Sequence, residues 1–573
     1  IPRLASLVPE VDGELDELVA RAVAADPTAR YQTANELRQA IERYLRKAGQ
    51  VVRELEVGEA MTGAFGADRA ALQAQIREAM RGIDGDSGPG EVVPPSARAM
   101  PARVGRGRRV LIGAGALGVL GALAWAGVII ARPGAGVPAV SPVASLCPTP
   151  IRVRVLYDMT GSTREVGTAA GKGESDYLRA INAAGGIRGC KLEIDLQDTQ
   201  YDKSASLEVY RRWKARADWP EVSTVFLQGT PITQAVAPLA SEEHKVVMSS
   251  AFAGEFAAPA PTSVDVSVPS LSGAFSEASV MVHKQSPGYP WVFFQGIDYS
   301  TAARVAANFA WHQGARRMAF FYCSTSSYCT DPVDGVKTFL HQLGGTRIGR
   351  DLAIELDDDV ATVEHKVLAF FQQERAYKTA HPDYEVTDWV WFGNTSGNTP
   401  ALAKALKKAR ELYHVDLNVI GNNWSVDESL YAACGEPCVG FHVVQPFGLF
   451  GDRTASGTAT LLADHATYRK LDGDPPDAYQ TVQYVYGRVA VATWKLAVER
   501  LLDAGRPVTG PNLRAMLESF RRVDVDGFAT VSYSATDHRP SSSARLAKLG
   551  PHGHLDPVGQ PMSLSLQPSW LGW

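Results

Sequence analysis

Hydrophobic positions along this chain follow three rhythms. In the first, Leu15, Leu18, Val19, Ala22 and Val23 recur at helical spacing, and a second amphipathic stretch follows Pro27. There Thr33 and Glu36 form a capping box, Leu37, Ala40, Ile41, Tyr44 and Leu45 supply the apolar face, and Gly49 ends the run. Two short amphipathic helices cannot bury both faces alone and need a partner. The second rhythm is an unbroken apolar run of 22 uncharged positions, residues 110–131. The third begins at Ile151, where "IRVRVLYD", "KLEIDLQD", "STVFLQG" and "KVVMSS" read as strands separated by helical stretches. After a loop-rich segment the alternation restarts with "WVFFQG", "RMAFFYC", "WVWFGN" and "LNVIGNN". Strands joined by helices of this length mean parallel sheets, and two such series predict two doubly wound α/β lobes. In such sheets ligands bind beyond the carboxyl ends of the strands.

The apolar run contains Gly113, Gly115 and Gly118, which satisfy the dinucleotide pattern G-x-G-x-x-G. That motif also needs an acidic residue about 20 positions on to hold a ribose. No Asp or Glu lies between Glu91 and Asp158, so the run reads as a transmembrane helix of the roughly 20 residues a bilayer requires. Arg103, Arg106, Arg108 and Arg109 precede it and only Arg132 closely follows, which puts the N-terminal side in the cytoplasm. Ala114, Gly118, Ala122 and Ala126 form a small-residue ladder suited to a homodimer through the span. The segment before it, "GDSGPGEVVPPSARAMPARVGRGRR", has the composition of a disordered linker, and "DRAALQAQIREAM" ahead of that reads as a helix.

A net charge of −5 over 573 residues, without a basic stripe, excludes nucleic acid as a partner. All six cysteines follow the span, as expected of an oxidising compartment. Spacing pairs Cys323 with Cys329 and Cys434 with Cys438, and elimination pairs Cys147 with Cys190; free buried thiols are the alternative. "GTAAGKG" at 167–173 lacks the spacing and hydroxyl of a phosphate loop and is expected in the first helix of the lobes. No metal site, cofactor or self-consistent catalytic set is expected.

Two resemblances sharpen this outline. "LVPEVDGELDELVARAVAADPTARYQTANELRQAIERYL" resembles the last two large-lobe helices of bacterial eukaryotic-like Ser/Thr protein kinases, with Asp26, Pro27 and Arg30 matching their D-P-x-x-R turn. The catalytic motifs of such kinases are absent, and the chain begins at Ile1 rather than Met, as a C-terminal fragment would. From "VRVLYDMTGSTREVGTAAGKGESDYLRAINAAGGIRGCKLEIDLQDTQYD" through "GARRMAFFYCSTSSYCTDPVDGVKTFLHQLGG" to "YGRVAVATWKLAVERLLDAG", the chain resembles periplasmic branched-chain amino-acid-binding proteins. That resemblance implies a type I solute-binding fold, with two lobes joined by three crossovers and closing on a ligand.

The expected organisation is therefore a kinase tail at 1–49, a juxtamembrane connector at 50–109, the span at 110–131, a linker at 132–148 and a two-lobed domain at 149–573. Lobe 1 is expected at 149–285 and 425–520, and lobe 2 at 286–424 and 521–573. The resemblance implies ligand contacts from Thr160 and Gly161 after the first strand, Thr230 at the carboxylate-gripping loop, Ser249 and Ser250 after the fourth strand, and Asp298 at the opening of lobe 2. Tyr328 matches an aromatic that covers the ligand, and Asn394 and Asn423 end two strands. Val166 replaces a family tyrosine, and the stretch around Asn423 and Trp424 lacks the family glutamate that would neutralise an α-ammonium group. The expected ligand is small, polar and amino-acid-like: an amino acid or derivative, an amide or a short peptide. The expected function is extracytoplasmic sensing for a receptor Ser/Thr kinase of the bacterial inner membrane, the alternative being a tethered substrate-binding protein of an ABC transporter.

Overall fold

The computed structural model describes positions within residues 3–47, then residues 147, 149–271 and 275–566. The chain divides into two compact units, Ile1–Ile130 and Ala131–Trp573.

In the first unit, helix α1 (Gly13–Ala22) starts where Asp12 accepts hydrogen bonds from the N–H groups of Glu14 and Leu15 at 2.9 and 3.0 Å. The second amphipathic stretch is helical at Leu37, Ala40, Ile41, Tyr44 and Lys47. It meets α1 through Tyr44, whose hydroxyl donates to Asp12, and through Lys47, which pairs with Glu14 at 2.6 Å. The capping box, the connector and the apolar run at 110–131 lie outside the described residues. Among the described residues, no helix is long and apolar enough to cross a membrane.

The second unit alternates strand and helix. Its first half runs β1 (Ile151–Tyr157), α2 (Arg164–Ala183), β2 (Leu192–Asp198), α3 (Lys203–Lys214), β3 (Val222–Leu227), α4 (Thr230–Glu242), β4 (Val246–Ser249), β5 (Thr262–Leu271), β6 (Glu277–Ser286) and β7 (Val292–Phe294). Then come α5 (Tyr299–His312), β8 (Arg317–Tyr322), α6 (Ser327–Leu343), β9 (Arg347–Ala353), α7 (Val360–Ala380), β10 (Trp389–Gly393), α8 (Thr399–Tyr413), β11 (Asn418–Gly421), α9 (Leu430–Cys434) and β12 (His442–Gln445). The chain ends with α10 (Thr458–Asp472), α11 (Val482–Asp503), α12 (Gly510–Glu518), β13 (Val523–Val525), β14 (Ala529–Val531), β15 (Ser543–Leu549), β16 (Leu555–Pro557) and β17 (Met562–Ser563).

Lobe 1 is built on a parallel sheet of order β2-β1-β3-β4-β7. Lobe 2 is built on parallel strands β12-β11-β10-β8-β9, extended by antiparallel β15 and β16 at one edge. Both faces of the central strands are covered, which is why "RMAFFY" and "WVWFG" read as continuous apolar runs rather than alternations. Phe321 and Phe392 belong to the larger core, whereas Met318, Phe320 and Trp391 face a second cluster with Ala302, Ala306 and Phe309 of α5.

The lobes divide later than the sequence spacing put them. "WVFFQG" does not open lobe 2: β7 pairs with β4 as the fifth strand of lobe 1, so the first crossover follows Phe294. Likewise β12 pairs with β11, and the chain returns to lobe 1 only after Gln445. The third crossover lies between β14 and β15, not at residue 520. The crossovers run together: a side chain on Gly296 would meet Pro446 at 2.9 Å, and Phe294 N–H donates to His538 at 3.3 Å.

The segment read as loop-rich contains a hairpin. Strands β5 and β6 leave lobe 1, where Tyr289 N–H donates to the Ala258 carbonyl at 2.6 Å, and join the edge of the lobe 2 sheet through Leu271 opposite Arg350. Phe275 stacks on Tyr377 at 4.1 Å, and Lys284 donates to the Asp331 carbonyl at 3.0 Å. The hairpin thus fastens lobe 1 to lobe 2. All three expected disulfides are formed. The bond from Cys147 to Cys190 closes the longest loop, with 43 residues of sequence separation, and constrains the unfolded chain most.

The tightest helix packing in lobe 1 is between α2 and α11. A Cβ on Gly487 would lie 1.9 Å from the Ala170 carbonyl, and one on Gly173 would lie 2.0 Å from that of Tyr484. The glycines of "GTAAGKG" therefore serve close packing of α2, Gly173 against α11 and Gly167 against the Asp158 carbonyl, as its poor phosphate-loop spacing suggested. Gly487→Ala should lower unfolding stability by about 1–3 kcal/mol through overpacking, measured by urea denaturation of residues 131–573.

Candidate functional site

The cleft is assembled at the carboxyl ends of the strands. Just past β1, the buried Asp158 carboxylate accepts from Gly161 N–H at 2.6 Å, Thr163 N–H at 2.8 Å and the Thr163 hydroxyl at 2.7 Å. This fastens the turn and starts α2, so Thr163 and Val166 face the cleft. After β3, Gln228 accepts from Asp158 N–H at 3.2 Å, and Gly229 turns the chain at φ +102° into α4. Gly229 offers no capping side chain, so the first turn of α4 is open towards the cleft, where Thr230 sits. The Thr230 hydroxyl is buried and makes no protein hydrogen bond of normal geometry. Ser250, after β4, lies 3.3 Å from the Tyr157 hydroxyl and completes this wall.

Lobe 2 brings aromatic rings. Tyr299 opens α5, and its hydroxyl accepts from the Trp424 indole at 3.2 Å. Tyr328 meets Tyr299 edge-on at 4.9 Å and donates to the Asn394 carbonyl at 2.6 Å. The Cys323–Cys329 bond ties β8 to the first turn of α6 and so fixes Ser326, Ser327 and Tyr328. Trp424 packs on Tyr486 at 4.5 Å and stacks on Phe252 at 6.4 Å. The lobes meet across the cleft where Gln234 donates to Ser327 at 3.0 Å, and the Tyr201 and Ser326 hydroxyls lie 3.5 Å apart. In this closed arrangement the space left between the walls is small, about 20 Å³. Burial pushes the Tyr201 phenol up to about 12 and raises those of Tyr299 and Tyr328 as well, so all three present neutral hydroxyls.

Residues 150–554 match the periplasmic binding protein family. The chain belongs to that family. Among solved structures of this fold, an ABC transporter substrate-binding protein from Aeropyrum pernix is 22% identical with a TM-score of 0.58, the match covering 74% of this chain and 98% of that one. A branched-chain amino-acid ABC transporter protein from Thermus thermophilus with bound valine is 15% identical at TM-score 0.58, covering 73% and 97%. A solute-binding protein from Rhodopseudomonas palustris in complex with 3,4-dihydroxybenzoic acid is 15% identical at TM-score 0.53, covering 72% and 97%. No curated protein sequence matches. The solved chains correspond almost entirely to the two-lobed unit, which carries its own cores.

In this member of the family, Thr230, Ser250 and Tyr328 line the cleft. Several other expected contacts have structural work. Thr160 is exposed and its hydroxyl donates to Asp198; Gly161 is required because a side chain would meet the Gln200 carbonyl at 2.3 Å. Ser249 bonds the backbone of Ala251 at 3.0 Å, and Asn394 holds the Ile354 carbonyl at 2.8 Å. Asp298 caps α5 by accepting from the N–H and hydroxyl of Thr301 at 2.9 and 2.7 Å. Asn423 is buried with both amide atoms lacking a bond of normal geometry, next to the lining Trp424. Residues that sequence reasoning passed over are Tyr201, Gln228, Tyr299, Thr395 and Trp424, each at or near a strand end or helix start. Position was the available signal, since each stands within a few residues of an expected contact or strand end.

Behind this wall, Glu174 of α2 is fully buried beside Tyr157, and neither carboxyl oxygen has a bond of normal geometry. Burial raises its pKa from 4.5 to about 8. Below pH 4.5 both folded and unfolded chains hold this proton. Between 4.5 and 8 only the unfolded chain releases it, so stability falls as pH rises, on the order of 1 kcal/mol per pH unit. Glu174→Gln should therefore flatten the decline in melting temperature between pH 5 and pH 8. Glu428 and Asp331, raised by burial to about 8 and about 7, leave a residual slope. Asp298→Asn should lower the melting temperature through loss of a charged cap, with no change in a small-molecule binding profile.

Proposed function

We propose that the two-lobed unit is an extracytoplasmic receptor that closes on a small polar ligand, and that it is the sensing part of a membrane-anchored receptor Ser/Thr kinase. The observation that carries the binding reading is the buried Thr230 hydroxyl, without a hydrogen bond of normal geometry, at the open N-terminus of α4, facing an aromatic wall across the cleft. A helix N-terminus concentrates partial positive charge and free N–H groups, and the hydroxyl adds a donor or acceptor at the same point. Ligand contacts are assigned to Thr230, Ser250, Tyr328 and Asn423, joined by Gln228, Thr395 and Trp424. The sensing role is supported by the kinase-like sequence of the N-terminal unit and by the uncharged run of residues 110–131. The extracytoplasmic placement is supported by three disulfides confined to residues after that run.

The second reading, a tethered substrate-binding protein feeding an ABC transporter, is favoured by the solved proteins of this fold that are named for such transporters. Peptide sequencing of the native membrane protein separates the two. Peptides with a Gly-rich loop and a catalytic Asp upstream of Ile1 support the sensor; co-purification with a transporter permease, without such peptides, supports the tethered receptor.

Binding is tested by titrating residues 131–573 with L-valine, L-leucine and 3,4-dihydroxybenzoate. Thr230→Val should weaken the tightest of these by about tenfold, the scale of one hydrogen bond left unmade, with little change in melting temperature. Equal affinity in the variant would remove α4 from the site.

A further inference from the structure

We infer that the cleft selects ligands with a carboxylate or amide head on a flat apolar body and rejects those with a primary ammonium group. This deepens the binding reading above and rests on it. The lining residues carry no formal charge: four aromatic rings, a valine, a glycine, hydroxyls and the Gln228 amide. No carboxylate lines the cleft: Glu174 lies behind it beside Tyr157, and Glu428 accepts from Val482 N–H at 2.8 Å. Asp158 is held by three donors in its own turn, and Asp298 is held by Thr301 with Arg539 at 3.5 Å. Glu165 is exposed to solvent and lies 3.2 Å from Arg164. A primary ammonium carried into this space would lose its water and gain no anion, a loss of several kcal/mol per ion.

Aromatic walls also attract cations, so the positions of the polar groups decide the sign. The open end of α4 directs its positive pole into the cleft, and the Thr230 and Ser250 hydroxyls stand on that side. That pole favours an anion or a carbonyl oxygen and opposes a cation. Two ring hydroxyls are already engaged, Tyr328 with the Asn394 carbonyl and Tyr299 with the Trp424 indole, so the opposite wall offers mainly ring surface. A head group at α4 and a planar body against Tyr299, Tyr328 and Trp424 satisfy both walls. Thr395, whose buried hydroxyl is unpaired, supplies the remaining polar contact.

Matched probes test this on residues 131–573: 3-phenylpropanoate, 3-phenylpropanamide and L-phenylalanine, then 4-methylpentanoate and L-leucine, with glycine betaine as a quaternary cation. Calorimetry should find the deaminated acid or amide of a pair bound at least about 100-fold more tightly than its amino acid, the scale of an unpaired buried charge. Thr395→Asp, which places a carboxylate in the wall, should weaken the acid and admit the amino acid. An amino acid bound as tightly as its deaminated partner overturns the inference while leaving the binding reading intact, as does preferential binding of glycine betaine. Failure of every probe, together with no response to Thr230→Val in a wider thermal-shift screen, overturns the binding reading and this inference with it.

Discussion

The carboxylate of Asp158 is the interaction on which the cleft depends. It stands just past β1, an inner strand of the lobe 1 sheet, and its two oxygens gather the donors of the turn that follows. The backbone N–H of Asp158 also donates to the Gln228 side chain just past β3. One buried group therefore sets the start of α2, ties two neighbouring strand ends and brings Thr163 and Val166 to the wall. Buried and satisfied, it is structurally effective and chemically spent: a carboxylate with three close donors has little affinity left for a ligand cation.

The same division of labour explains why the fold was more legible in the sequence than the site. Strand runs such as "STVFLQG" and the helices between them carry their signal in apolar period, which burial enforces at every position. The lobe boundaries were displaced because a buried parallel strand reads alike in either sheet, so "WVFFQG" gave no sign that it pairs with β4. The β5–β6 hairpin was passed over although Val264, Val266 and Val268 alternate with polar residues, as do Val280 and Val282. Its surroundings are rich in Pro, Ser and Ala, and its partner strand lies in the other lobe.

At the site, residue type and position were readable but direction was not. Asp298 and Asn394 stand at strand ends as ligand-binding residues do, yet each is turned to cap or brace the backbone. Their immediate neighbours Tyr299 and Thr395 face the cleft instead. Short polar side chains serve caps and ligands equally well, and only the hydrogen-bond census of the folded chain distinguishes the two uses. Thr230 is the exception. It follows a glycine at positive φ, at a helix start without a side-chain cap, which leaves its hydroxyl without a hydrogen bond of normal geometry.

These unpaired groups bear on closure. In the closed arrangement Thr230, Thr395, Ser396 and the Asn423 amide are buried without protein partners of normal geometry. Each such group costs about 1–3 kcal/mol relative to a solvated one, which opposes closure. Against this stand the contacts across the cleft, Gln234 to Ser327 and Tyr201 to Ser326. A ligand that supplies partners to the unpaired groups removes the penalty in the closed form alone. Differential affinity of that kind is what population shift requires.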